Sequence, residues 1–220
     1  GSWAVMLQTP KDLGFDGSKY VLPKMIVENH IIENTEDRST LFAMPAEGLN
    51  EMRQARKDSL QERVKRVSEM VNNSKEQWIV WCDRNDESEA LKLAIPDSVE
   101  VKGSDDQDHK EKAMMDFTNQ TVRVLVTKQS ICGFGMNWQN CFNMAFCGIG
   151  YSYEGFYQAT RRCFRFGQKN NVNVHIVLSE KEVTAIESIK HKETQHKKMN
   201  SDIINNVKEF FNFNSMPKTY

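Results

Sequence analysis

The run of the sequence best suited to chemistry on an anion is Gln158-Ala159-Thr160-Arg161-Arg162-Cys163-Phe164-Arg165-Phe166-Gly167-Gln168. On a helix, Gln158 and the three arginines at 161, 162 and 165 share one face, because they are spaced by three, four and seven positions. Crowded guanidinium groups repel each other unless an anion meets them, and their donor forks match phosphate oxygens. The run therefore predicts a phosphate-binding helix that Gly167 ends. A solvated basic face is the alternative interpretation.

A second run, Ile131-Cys132-Gly133-Phe134-Gly135-Met136-Asn137-Trp138-Gln139, follows a strand-like segment that ends at Thr127. Gly133 and Gly135 allow a sharp turn and a close approach of the backbone to a ligand. The third glycine of a dinucleotide-binding fingerprint is missing, so a Rossmann-type loop is disfavoured. A plain tight turn is the alternative.

Strand-like and helical runs alternate around these motifs. Strands are expected at 77–82, 98–101, 121–127, 142–147 and 172–178, and helices at 50–72, 83–91, 108–117 and 153–165. This order predicts an α/β fold with three layers, in which helices cover both faces of a mostly parallel sheet. Because such sheets bind ligands beyond the carboxyl ends of their strands, the segments 127–135 and 148–154 are expected near the site.

The expected organisation has four parts. Gly1-Ser2 is interpreted as the remnant of a tag. Residues 3–49 are expected to form a connector or accessory segment with one strand-like run, 20–27, which Pro23 interrupts. The main lobe is expected at 50–180, and a charged helical extension at 181–220.

Composition restricts the partners. The net charge is -1, so a nucleic-acid partner would need a local basic patch. No apolar run approaches the roughly 20 residues that cross a bilayer, so no membrane partner is expected. The five cysteines form no C-x-x-C pair, which favours reduced, buried thiols in a cytoplasmic protein. No histidine lies near a cysteine at ligand spacing, so no metal site is expected.

The order of W-I-V-W-C (78–82), V-L-V-T (124–127), G-F-G-M-N-W-Q (133–139) and Q-A-T-R-R-C-F-R-F-G-Q (158–168) resembles motifs IV to VI of superfamily 2 helicases. The last motif is similar to Swi/Snf-type translocases more than to DEAD-box helicases. The G-F-G-x-N-W-Q wording is closest to phage and prophage DEAD/DEAH-like helicases, and Cys132 departs from the Swi/Snf glycine. The resemblance covers about residues 78–178 and implies a C-terminal RecA-like lobe in a prokaryotic or phage-infected cell.

The resemblance also implies residue roles. Arg165 and Arg162 would be catalytic, with Arg165 as the arginine finger, a device worth on the order of 10³–10⁵ in rate. The ATP-binding set would be Gln158, Arg162, Arg165, Gly133 and Gly135. The nucleic-acid-binding set would be Thr127, Lys128, Ser104 and Asn137. For Thr127 and Ser104, ordinary turn capping is an equal alternative.

The sequence contains only half of the expected ATPase machinery. No glycine is followed by lysine, so the chain has no phosphate-cradling G-x-x-x-x-G-K-[ST] loop. ATP and Mg²⁺ are therefore expected to be held mainly by an N-terminal RecA-like lobe of the same protein, and this chain alone is expected to be inactive. The expected nucleic-acid partner is DNA, with duplex DNA favoured and RNA possible. The alternative function is a non-catalytic nucleic-acid-binding module whose arginines clamp phosphates.

Overall fold

A computed structural model of the protein describes residues 21–32, 49–131, 136–150 and 152–214. Two compact units are present, one comprising residues 22–188 and the other residues 1–21 together with 189–220. In the second unit the described part is the continuation of one long helix from residue 189 to 214. The fold below is that of residues 22–188.

Six strands and a set of helices alternate along the chain. The strands are β1 (Met25–Ile32), β2 (Trp78–Cys82), β3 (Ser98–Val101), β4 (Val124–Lys128), β5 (Asn143–Cys147) and β6 (Val172–Ser179). The helices are α1 (Leu49–Asp58), α2 (Leu60–Asn72), α3 (Asn85–Ala94), α4 (Gln107–Thr118), α5 (Tyr153–Thr160) and α6 (Val183–Asn214), with a 3-10 turn at Glu180–Glu182. Among the described helices, none is long and apolar enough to span a membrane.

The strands form one sheet in the order β1-β6-β5-β2-β4-β3, and every neighbouring pair is parallel. The central strands β2 and β5 are buried along their whole length. Their near-continuous apolar sequences are typical of strands covered on both faces. The predicted α/β class and its RecA-like, mostly parallel sheet are confirmed.

Two apolar layers cover the sheet. On one face, valines of α2 (64, 67, 71) and Leu91 and Ile95 around α3 pack against Trp78, Val80 and Cys82 of β2. On the other face, aromatic rings join α4, the sheet and α5. Ring centroids are 5.5 Å apart for Phe117 and Trp138, 6.2 Å for Trp81 and Phe146, and 5.2 Å for Phe146 and Phe156. Burial of such rings is the main stabilising contribution to this half of the core.

One predicted helix is divided in the structure, and another is shorter than predicted. The run 50–72 is two helices, because Ser59 leaves the helical conformation and its Oγ donates to the Ala55 carbonyl. The predicted helix 153–165 was wrong in its second half, since α5 ends at Thr160 and residues 161–168 form a series of turns. The carbonyl of Tyr157 accepts from Thr160 Oγ1 and from the Arg161 backbone N–H, which closes this helix end.

Strand β1 lies inside the segment expected to be a connector. It pairs with β6 over its full length, from Met25 opposite Val172 to Ile32 opposite Ser179. The Val172 N–H also bonds to the Lys24 carbonyl at 2.9 Å. Residues 25–32 are therefore an edge strand of the lobe, and a boundary at residue 49 does not separate them from the sheet. Pro23 precedes the strand, where its missing N–H costs no ladder bond.

Candidate functional site

The turns at residues 161–168, here called the arginine turn, lie between α5 and β6. The backbone N–H of Trp138 donates to the Arg162 carbonyl at 2.9 Å. The buried side chain of Gln168 donates to the carbonyls of Cys141 at 3.0 Å and Cys163 at 3.2 Å. These bonds tie the arginine turn to the segment 136–141.

Gln168 and Gly167 have roles that the sequence did not indicate. The Gln168 side-chain oxygen accepts from the N–H groups of Lys169 and Asn170, so both ends of its amide are satisfied. Gly167 does not end a helix. It adopts φ +95°, a conformation that L side chains rarely adopt, within the turn beside Gln139.

Two of the three arginines converge. Arg162 Nη1 donates to the Met136 carbonyl at 3.4 Å, and Arg165 Nη1 donates to Asn137 Oδ1. Arg161 instead lies over the rings of Tyr157 and Phe164, at 5.0 and 5.3 Å from their centroids. Gln158 is exposed and bonds to Glu154 on the same helix. The expected single helical face of one glutamine and three arginines is therefore wrong.

Within the described residues, acidic side chains do not pair with the convergent arginines. In the described ranges, no carboxylate lies within ion-pair distance of Arg161, Arg162 or Arg165. The acceptors of Arg162 and Arg165 among the described residues are neutral oxygens, a carbonyl and an amide. A guanidinium held by a neutral acceptor keeps its full charge and further donors for an anion.

The arginine turn lies at the edge of the sheet where the strands begin. Residues 138–140 bond to groups at that edge: Trp138 Nε1 donates to Thr118 Oγ1 at 3.1 Å, and Asn140 donates to Gln77 Oε1 at 2.8 Å. Gln77 immediately precedes β2, and Thr118 ends α4. The expectation that the whole site gathers at the carboxyl ends of the strands is therefore wrong for the arginines.

The residues expected to bind nucleic acid are divided between the two edges. Lys128 ends β4 with its ammonium 2.6 Å from Asn85 Oδ1, and Ser104 is exposed in the turn after β3. Asn137 lies with the arginines at the opposite edge. Thr127 is fully buried, and its hydroxyl donates to the Val101 carbonyl at 3.2 Å, so its side chain joins β4 to β3 and does not reach a ligand.

The segment from 129 to 137 joins these two edges. It leaves β4 at Lys128 and reaches the arginine turn at Met136 and Asn137. Gly133 and Gly135 fall in the range 132–135, outside the described residues.

A buried ionic cluster at the carboxyl edge was not anticipated. Arg63, Glu87 and Glu182 are fully buried and Arg56 nearly so. Arg63 lies 2.9 Å from Glu87, and Arg56 lies 2.7 Å from Glu182 and 2.8 Å from Asp83. Burial alone would lower the pKa of Arg56, but Glu182 and Asp83 outweigh it and raise that pKa. The sequence did carry a signal, since Arg63 interrupts the apolar face of α2 between Leu60 and Val67.

The cluster connects three helices with the ends of three strands. Glu87 of α3 accepts from the N–H groups of Asp83 and Arg84, which follow β2, and Glu182 accepts from the N–H and hydroxyl of Ser179, which ends β6. Arg56 also donates to the Ile149 carbonyl after β5. The charges therefore fix the ends of β2, β5 and β6 against α1 and α2, which supports the sheet without touching the arginine turn.

Comparisons with known proteins agree with this architecture. Residues 62–167 match the family described as helicase conserved C-terminal domain. Comparison with curated proteins gives no match. Among solved structures, the chain is similar to the crystal structure of the C-terminal part of the Fun30 ATPase domain, with a TM-score of 0.52 and 17% sequence identity. That alignment covers 68% of this chain and only 53% of the other. The family match and the fold together support a helicase C-terminal domain over residues 62–167.

Proposed function

We propose that this chain is the second lobe of an ATP-dependent nucleic-acid helicase or translocase, and that the arginine turn completes an ATPase cleft. The observation that carries the proposal is the convergence of Arg162 and Arg165 on residues 136 and 137, each with a neutral acceptor. Two guanidinium groups that bond to adjacent residues and have no carboxylate partner within the described chain suit the oxygens of a triphosphate. The helicase family match over this segment supports the same function.

In this proposal the nucleotide comes from a partner lobe. An N-terminal RecA-like lobe of the same protein holds ATP and Mg²⁺, since this chain has no glycine followed by lysine. Arg165 stabilises the charge on the transferred phosphoryl oxygens, and Arg162 binds the phosphates beside it. Gln158 adds a polar contact from the exposed side of α5, and Gly133 and Gly135 offer backbone N–H groups.

The other edge of the sheet serves as the nucleic-acid track. Lys128 and the exposed Ser104 both lie there, because Val101 at the end of β3 is paired with Thr127 of β4. An ammonium and a hydroxyl donate to phosphodiester oxygens without reading the base sequence. The similarity of the last motif to Swi/Snf-type translocases favours duplex DNA as the partner. The segment from 129 to 137 then couples the track to the ATPase cleft, with Asn137 as its last contact.

The decisive experiment measures DNA-stimulated ATP hydrolysis by this lobe joined to its phosphate-binding lobe. Arg165→Ala is expected to lower turnover by about 10³ or more while ATP binding changes little, because a finger acts on transition-state charge. Arg161→Ala is the matched control, because Arg161 packs over Tyr157 and Phe164. This variant is expected to keep turnover within about tenfold of the unsubstituted protein. Unchanged hydrolysis by Arg165→Ala would overturn the finger assignment.

The phosphate-clamp alternative predicts a different pattern. The isolated chain would then bind DNA tightly, with an affinity that falls steeply as salt rises, and Arg162→Ala would abolish this binding. The motor proposal expects weak binding by the isolated chain and hydrolysis only in the joined protein. Tight binding without any DNA-stimulated hydrolysis would support the non-catalytic module instead.

A further inference from the structure

We propose that Glu28, His30 and His175 form a binding site for a divalent metal ion of the zinc class. In the part of the chain that the structure describes, these three are the group of histidine and acidic side chains whose ligand atoms all lie within 4.8 Å of one another. His30 Nε2 is 3.1 Å from His175 Nδ1, and Glu28 Oε2 is 3.5 Å from His175 Nδ1 and 4.0 Å from His30 Nε2. The proposal does not depend on the proposed ATPase function.

The separations suit tetrahedral coordination. Zinc binds imidazole nitrogen and carboxylate oxygen at about 2.0–2.2 Å, so ligand atoms around a tetrahedral ion lie about 3.3–3.5 Å apart. The three observed separations, 3.1, 3.5 and 4.0 Å, bracket that value. Small side-chain rotations that move the ligand atoms by a few tenths of an ångström suffice to bring them to coordination distance. Three protein ligands leave a fourth position, which the exposure of Glu28 opens to water.

The sheet itself brings the three ligands together. Glu28 is paired with His175 across β1 and β6, and His30 lies two residues further along β1 on the same face. Trp78 of β2 supports His175, with ring centroids 5.5 Å apart. Sequence spacing did not show the site because the two histidines are 145 positions apart.

The positive charge of Arg66 weakens the binding of a metal ion at this site. Its Nη2 lies 3.2 Å from His30 Nδ1. When a metal occupies Nε2, the ring proton resides on Nδ1, which then cannot accept from a guanidinium. Arg66 is exposed on α2, so it can turn towards solvent as the metal binds. Removing its charge should therefore strengthen metal binding, which a purely structural histidine pair does not predict.

Cobalt titration of the 220-residue chain tests the site, since Co²⁺ gives visible absorption bands when four-coordinate and Zn²⁺ displaces it. One equivalent is expected, and Zn²⁺ should raise the melting temperature. Glu28→Gln and His30→Gln each remove one ligand and should weaken binding by about tenfold or more. His109→Gln is the matched control, because His109 also lies near a carboxylate, 3.8 Å from Asp105, but has no second histidine.

Arg66→Gln is expected to raise the affinity for the metal ion by about three- to tenfold, because it removes one cation near the ion. Circular dichroism of each variant establishes that the fold is intact, and Glu28 is exposed, so Glu28→Gln leaves the core unchanged. Equal affinity of the unsubstituted chain and His30→Gln overturns the proposal. If His109→Gln loses as much metal affinity as His30→Gln, the proposal is also overturned, because the metal then binds surface histidines non-specifically.

Discussion

Arg63 and Glu87 are both fully buried, and the hydrogen bond between them is 2.9 Å long. Such a pair contributes little compared with an apolar pair of the same volume, but removing one partner leaves the other charge buried alone. The sequence signal was a cation on an apolar helix face, and it could not identify acidic partners that lie 24 and 119 positions further along the chain.

Arg63→Ala is expected to lower the free energy of unfolding by about 3–5 kcal/mol, because Glu87 loses its ion pair without access to water. Urea denaturation followed by circular dichroism measures the change. Lys112→Ala is the control, since it breaks an exposed pair with Asp116 and should cost less than about 0.5 kcal/mol. Similar losses in both variants would contradict a structural role for the buried charges.

Gly148 offers a second prediction at the residue scale. It has φ +86°, and a Cβ there would lie 2.8 Å from Arg63 Nη1 and 3.2 Å from Glu87 Oε1. Gly148→Ala should therefore destabilise the protein by about 1–3 kcal/mol, from backbone strain and displacement of the ionic cluster. Gly103→Ala, where a Cβ meets nothing within 4 Å, should change the midpoint of thermal unfolding by no more than a few degrees.

Among the elements, the arginine turn depends on Gln168. Gln168→Met keeps the volume but removes the donor to the Cys141 carbonyl, while the Cys163 carbonyl keeps the Arg165 N–H as its donor; the loss is expected to cost about 1–3 kcal/mol. Because the turn positions Arg165, hydrolysis by the joined protein should fall as well. Lys169→Ala, at the adjacent exposed position, should preserve both stability and turnover. A fully stable Gln168→Met protein would show that the turn is held by other contacts.

The helices and strands also show which element bounds the sequence patterns predict correctly. Mostly apolar runs located β2, β5 and β6 to within one residue, since burial of a strand leaves a strong signal. The end of α5 was missed, because Arg161 to Arg165 continue a helical spacing while Trp138 and Gln168 hold that backbone in turns. Trp138 lies 24 positions from Arg162, and Gln168 also bonds to Cys141, 27 positions away. The candidate site residues were proposed from motifs, whereas their division between two edges of the sheet required tertiary contacts.

At the scale of the whole molecule, the thiols report on unfolding. Cys82, Cys141, Cys147 and Cys163 are buried. Burial raises the pKa of Cys82 to about 12 and that of Cys147 further, so at pH 8 almost no thiolate is present at either position. N-ethylmaleimide followed by peptide mass spectrometry should label none of these four cysteines in native protein, and all of them in urea. Rapid labelling of Cys82 or Cys147 under native conditions would contradict the packing of this core.

The pairing of β1 with β6 has a consequence for biosynthesis. Residues 25–32 leave the ribosome before any other strand described here, yet their neighbour in the sheet begins 147 positions later. Contacts so distant in the chain form slowly, and an unpaired strand is a template for association with other chains. The nascent polypeptide must therefore carry β1 without its partner until residue 179 has emerged, and during that time the strand's free edge is open to association with other chains.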